Sequence, residues 1–169
     1  RDDLVTGVQT CALPIYWFVL TNNTAMSATT PTNSGGAIPS AFFGYTGDAE
    51  ATSIAVDSYG HKHVSYRDSS GLRYATDASG SWVIVTVDSV SAGWDGVSSI
   101  AIDSNNVLHI SYHDGDSEDL KYATCSSGCT TASNWNNVSV DTTGSVGHYS
   151  SIAIDSNGAL HISYFDDTN

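Results

Sequence analysis

Apolar and polar residues alternate with a period of two through most of this chain. In residues 150–167, SSIAIDSNGALHISYFDD, Ile152 and Ile154 fall on one side of an extended segment and Ala153 on the other. After the DSNG interruption the alternation resumes, with Ile162 and Tyr164 opposite Ser163. No segment brings its apolar residues back at the roughly 3.6-residue spacing of a helix, so the pattern predicts short strands and an all-β fold. The large face (Ile152, Ile154, Ile162, Tyr164) and the small face (Ala153, Ser163) suit sheets packed face to face.

The pattern also repeats. Residues 98–115, SSIAIDSNNVLHISYHDG, and residues 52–69, TSIAVDSYGHKHVSYRDS, are copies of the same stretch, and Ile54, Ile100 and Ile152 align 46 and 52 residues apart. A period of this size marks stacked supersecondary units and outranks every other signal in the chain. The first copy carries four strand-like runs, SIAVD (53–57), HKHVSYRD (61–68), LRYAT (72–76) and WVIVTVD (82–88). The second carries SIAID (99–103), LHISYHD (108–114), LKYAT (120–124) and WNNVSVD (135–141), and the third stops after two runs.

The turn between the first two runs opens with Asp57, Asp103 or Asp155. An aspartate there bonds the backbone N–H groups ahead of it, and Gly60 and Gly158, fourth in the turn, take a positive φ. Asn106 replaces them in the second copy and is the next most tolerant residue in that conformation. Turn chemistry therefore accounts for the repeated aspartate.

Four short strands and an Asp-led hairpin per unit of about 45–50 residues resemble the blades of sialidase-like, BNR-type β-propellers. The resemblance covers residues 52–169. It departs from the usual Asp-box in its longer turn, with Ala153, Asp155, Gly158 and His161 at the motif positions. It implies a partial β-propeller of four-stranded antiparallel blades, about two and a half in number: blades at 52–97 and 98–149 and a truncated blade at 150–169. Residues 16–51 are then a partial preceding blade, with Trp17 matching Trp82 and Trp135, or a Ser/Thr/Gly/Pro-rich insertion. An open blade face is expected at each end, with further blades of the same full-length chain as its partners.

Residues 1–15, RDDLVTGVQTCALPI, resemble the translation of a short-read sequencing adapter. The protein's own sequence is therefore expected to start at Tyr16 or Trp17, and Cys11 leaves the cysteine count.

Charge narrows the partners. Five basic residues (Arg1, Lys62, Arg67, Arg73, Lys121) face 18 acidic ones, for a net charge of −13. Nucleic-acid affinity depends on Lys and Arg displacing counterions, so nucleic acid is excluded as a partner. No apolar run approaches the roughly 20 residues of a membrane helix.

The recurring His63, His109 and His161, each followed by Ser and Asp, contain the residue types of a hydrolytic triad. A triad needs one nucleophile, one base and one acid converging in one pocket. A His and Ser two apart on one strand, present in every copy, point instead to structural hydrogen bonding. Tyr66, Tyr112 and Tyr164 are equivalent repeat positions, as are Trp82 and Trp135, which favours packing. The resemblance implies that an active sialidase carries an arginine cluster, whereas only Arg67 and Arg73 lie beyond residue 15.

Two loops differ between copies. DGDSED (114–119) offers Asp114, Asp116, Glu118 and Asp119 as Ca²⁺ ligands, against the reading of a solvated hairpin tip. CSSGC (125–129) predicts a loop-closing Cys125–Cys129 disulfide and with it an extracellular or cell-surface setting. Asn22 and Asn137 head N-x-[ST] sequons. Neither a cofactor nor a catalytic residue is assigned. The expected function is recognition or scaffolding by a fragment of a secreted or surface propeller binding a glycan or protein. The alternatives are a piece of a sialidase-like glycoside hydrolase whose catalytic residues lie outside this chain, and a structural spacer.

Overall fold

The computed structural model describes residues 50–91 and 97–168. The adapter-like segment and Trp17 lie outside the described residues. The first sheet contains β1 (Glu50–Val56), β2 (Lys62–Asp68), β3 (Gly71–Thr76) and β4 (Val83–Asp88), in that spatial order. The second contains β5 (Ser98–Ile102), β6 (Leu108–Asp114), β7 (Asp119–Cys125) and β8 (Asn136–Asp141), again in sequence order. The hairpin of β9 (Val146–Ile154) and β10 (Leu160–Asp166) forms a third, two-stranded sheet. Every neighbouring pair is antiparallel, and the described helical structure is one 3-10 turn at Ala132–Asn134. The all-β reading therefore holds at the level of antiparallel four-stranded sheets. Among the described residues no helix is long and apolar enough to cross a membrane.

The turns follow from their residues. Asp57 Oδ1 accepts from the Tyr59 and His61 amides at 2.9 and 2.8 Å, and Asp103 and Asp155 hold the same two amides in their own turns. The fourth turn residue is left-handed each time, at φ 87° for Gly60, 62° for Asn106 and 82° for Gly158. Trp82 and Trp135 stand one residue before their strands rather than within them, since β4 begins at Val83 and β8 at Asn136. β9 begins earlier than the alternation predicts. Its first residues reach Phe165 and Asp166 of β10 through register shifts, and the Val146 amide donates to the Glu118 carbonyl at 2.9 Å.

The core lies between the first and second sheets. Leu72, Tyr74, Val85 and Val87 of the first pack against Ile100, Leu108, Ile110, Tyr112, Ala123, Cys125 and Trp135 of the second. β5 lies against β1 and β2, and β9 against β5, β6 and β7, so consecutive units stack in sequence order. Burial follows the stack: Ile100 is 6% exposed where a sheet covers it, whereas its equivalent Ile54 is 48% exposed.

Gly147 fixes how closely the third sheet approaches. It has φ 91°, and a Cβ there would stand 2.7 Å from Leu120 Cα of β7. Gly147→Ala is expected to destabilise the β9–β10 hairpin by about 1–3 kcal/mol through overpacking. Hydrogen exchange should accelerate across residues 146–154 and 160–166 while β1–β4 is unchanged. An unaltered exchange pattern would show that this contact does not seat the hairpin.

Candidate functional site

The repeated His, Ser, Tyr and Asp residues do not converge on one pocket but divide into two sets of contacts. The first set lies within each sheet, at the end carrying the Asp-led turns. His63 Nδ1 is 2.6 Å from the Tyr74 hydroxyl and its Nε2 is 3.4 Å from Asp57 Oδ2. His109 Nδ1 is likewise 2.6 Å from the Tyr122 hydroxyl, with Asp103 3.9 Å from its Nε2. His161 Nε2 is 3.3 Å from Asp155. Burial pushes the Asp57 carboxyl up, but bonds from His61, His63 and the Tyr59 amide outweigh it and carry its pKa down to about 2. Burial lowers the pKa of both His63 and His109 and pushes the Tyr74 phenol up to about 12. Asp57, His63 and Tyr74 have the order of a proton relay, yet Tyr74 is buried under Trp135, whose ring meets it edge-on at 5.0 Å. Tyr74 is 1% exposed, so this hydroxyl lies inside the core.

The second set joins one sheet to the next. Ser98 Oγ donates to Ser65 Oγ at 3.0 Å, and Ser111 and Ser150 are paired at 3.1 Å. The Ile100 amide donates to Ser53 Oγ at 3.1 Å, and the Ile152 amide to Ser99 Oγ at 3.2 Å. At the far end of the strands, Tyr112 donates its hydroxyl proton to Asp88 at 2.7 Å and Tyr164 donates to Asp141 at 2.7 Å. Lys121 adds contacts to Asp88 at 2.8 Å and to Asp114 at 3.2 Å. Burial works against the Lys121 charge, but Asp88 and Asp114 outweigh it and raise its pKa. The serines that follow His63 and His109 are thus connectors between sheets rather than relay partners of the histidines; His63 faces Tyr74 while Ser65 pairs with Ser98, and His109 faces Tyr122 while Ser111 pairs with Ser150.

The acidic loop does not gather its carboxylates. Asp114 is buried and caps the Asp116 and Ser117 amides, Asp116 accepts from the Ser91 amide at 2.9 Å, and Asp119 accepts from Ser139 Oγ at 3.4 Å. Glu118 takes a φ of 59°. Among the described residues no group of three His, Cys, Asp or Glu side chains is arranged to hold a metal ion. Cys125 and Cys129 are joined, with Cα atoms 5.8 Å apart, and the Cys129 carbonyl accepts from Trp135 Nε1 at 2.9 Å. Asn137 donates to the Val87 carbonyl at 2.9 Å, so its sequon side chain is used in seating the second sheet on the first.

Two features were not legible as sites in the sequence. Arg67, equivalent to His113 and Phe165, is fully buried and donates to the carbonyls of His113 (2.6 Å), Val90 (3.2 Å) and Ser91. The His113 ring in turn packs at a tilt against His148 with ring centroids 4.2 Å apart, and neither of its ring nitrogens makes a hydrogen bond within the described residues. The second feature is the tip of the first turn, where Tyr59 is 77% exposed and its ring lies 6.0 Å from that of His61. The other turns carry Asn105 and Asn157 in place of Tyr59. The difference between copies was the available signal for this tip; only the structure shows that it projects.

Compared with protein-family models and with curated proteins, the chain matches none.

Burial lowers the pKa of His63, His109 and His113 below 6.5, with His148 and Arg67 reinforcing the effect at His113. The unfolded chain then binds more protons than the folded one as pH falls through 6.5, so stability declines toward acid. The melting temperature should fall between pH 7 and 5. His113→Phe, which copies the residue of the third repeat, should flatten that fall; an identical pH profile would show that His113 does not contribute to it.

Proposed function

We propose that the chain is part of a sialidase-like β-propeller whose role is recognition of a glycan or protein ligand, without catalysis by these residues. Two successive junctions use the same Ser–amide, Ser–Ser and Asp–Tyr contacts. A constant junction relates each sheet to the next by a similar movement, which supports successive blades turning about an axis. The Cys125–Cys129 bridge supports a secreted or surface setting.

The observation that carries the functional reading is the Tyr59–His61 tip. Residues common to all copies are occupied in turns and junctions, whereas Tyr59 presents an aromatic face to solvent from a turn whose aspartate is held ionised by its neighbours. An exposed aromatic ring beside polar groups suits the apolar face of a sugar ring or a protein anchor residue.

The full chain applied to a glycan array should retain a defined group of saccharides. Tyr59→Ala should lower that binding by about tenfold or more, corresponding to roughly 1.4 kcal/mol, with no change in melting temperature. A blank array, or binding indifferent to Tyr59→Ala, would remove the glycan reading and leave a protein ligand or the spacer role.

A further inference from the structure

The second and third sheets meet at two imidazoles with no carboxylate bonded to either. His113 of β6 is 2% exposed, and its ring lies tilted against that of His148 on β9, with centroids 4.2 Å apart. Neither His113 ring nitrogen has a hydrogen-bond partner, nor does the buried Nδ1 of His148, whose Nε2 is 3.0 Å from Ser145 Oγ. A buried imidazole in such surroundings keeps its neutral form, because ionising it would leave an uncompensated charge in the interior.

The groups facing the pair deepen that preference. From β2, Arg67 Nη1 donates to the carbonyl of His113 itself at 2.6 Å, so a permanent cation already stands beside this residue. Asp114, next on the same strand, is engaged by Lys121 at 3.2 Å and by the Asp116 amide at 3.0 Å. Glu118, in the loop before β7, is exposed, and water screens its charge. On β10 the residue opposite His148 is Phe165, and Asp166 stands opposite Val146. Burial, then His148, then Arg67 lower the pKa of His113, against the smaller opposing pull of Asp114 and Glu118.

The third sheet has few apolar contacts to hold it once this junction is charged. The apolar cluster shared by the first two sheets contains no described residue of β9 or β10. Val146 and Ile152 are buried, whereas Leu160, Tyr164 and Phe165 are exposed. The backbone beside His148 is also held at a cost: Tyr149 takes a φ of 52°, a left-handed conformation unfavourable for a bulky residue, and the register of β10 against β9 shifts between Ser163 and Phe165. Local opening is drawn from regions of this kind.

We infer that His113 and His148 form an acid-operated latch, closed when neutral, whose protonation sets like charges against each other and Arg67 and detaches β9–β10 while the first two sheets stay joined. The sign follows from the lowered pKa of His113. The open state binds more protons than the closed one below 6.5, so closure is complete above that pH and is lost as pH falls through it. The Tyr164–Asp141 contact is not the trigger, because the bond from Tyr164 lowers the Asp141 pKa and keeps that carboxylate ionised in this range. The latch is independent of glycan recognition.

Hydrogen exchange of the full chain, read by mass spectrometry and corrected for the intrinsic pH dependence of amide exchange, tests it at pH 7.5 and pH 5. Residues 146–154 and 160–166 should lose protection by about tenfold or more at pH 5, the effect of one pKa unit on a linked equilibrium. Residues 62–76 of the first sheet should keep theirs, and return to pH 7.5 should restore the hairpin. His113→Phe and His148→Gln should each abolish the acid-dependent loss. If His113→Phe does not pack, His148→Gln, which keeps a donor toward Ser145, still decides. Equal protection at both pH values, an equal loss in all three sheets, or an acid-dependent loss that persists in His148→Gln would overturn the inference.

Discussion

The second sheet is positioned by a carboxylate that belongs to the first. Asp88 ends β4, yet its partners Tyr112 and Lys121 lie on β6 and β7 of the next unit. Removing an aspartate and a lysine from water is costly, and replacing such a pair with apolar groups is often no loss of stability. Its value is directional. A hydroxyl and an ammonium converging on one carboxylate fix where β6 stands along β4, which a contact between valines and isoleucines leaves free to slide. The serine contacts then work at the other side of the same interface: with side chains this small, the amides of Ile100 and Ile152 come within 3.1 and 3.2 Å of a neighbouring sheet's hydroxyl.

That constraint explains why one repeat position can vary so widely. Arg67, His113 and Phe165 occupy it in turn, a change from a fixed charge to a titratable ring to a hydrocarbon. Arg67 is tolerated without a paired carboxylate because three backbone carbonyls of the next unit and its linker accept from it. His113 contributes its carbonyl to Arg67 and its ring to His148, so the first unit's charge is solvated by the second unit's backbone. The junction residues are held constant and this position is not, since the clamp already sets the geometry.

Strand number, sheet order and turn conformation were legible because each depends on neighbours in sequence: alternation, an aspartate, a residue tolerant of positive φ. The partners of the polar repeat residues were not. The sequence places Ser65 two residues from His63 and suggests a shared network, but the serine belongs to an interface that forms only when two sheets meet. The acidic loop shows the same limit. Asp114, Asp116 and Asp119 are close in sequence, while their partners are respectively a lysine on β7, the linker after β4 and a serine on β8. Local spacing cannot reveal which carboxylates will be claimed by distant groups.

The same distinction separates the three Asp-led turns. Asp57, Asp103 and Asp155 make identical bonds to their own turn amides, so the turn itself cannot favour one of them. Only the first is followed by a histidine at the fourth position after the aspartate, and His61 brings a second imidazole to Asp57, 2.8 Å from Oδ2. Asp57 therefore holds both the buried His63 and the half-exposed His61, anchoring the ring next to Tyr59. A projecting aromatic on a loose turn would lose side-chain entropy on capturing a ligand. Here one partner of the tip is already fixed by a carboxylate that the fold requires for the turn, so the feature peculiar to the first copy is built on the chemistry shared by all three.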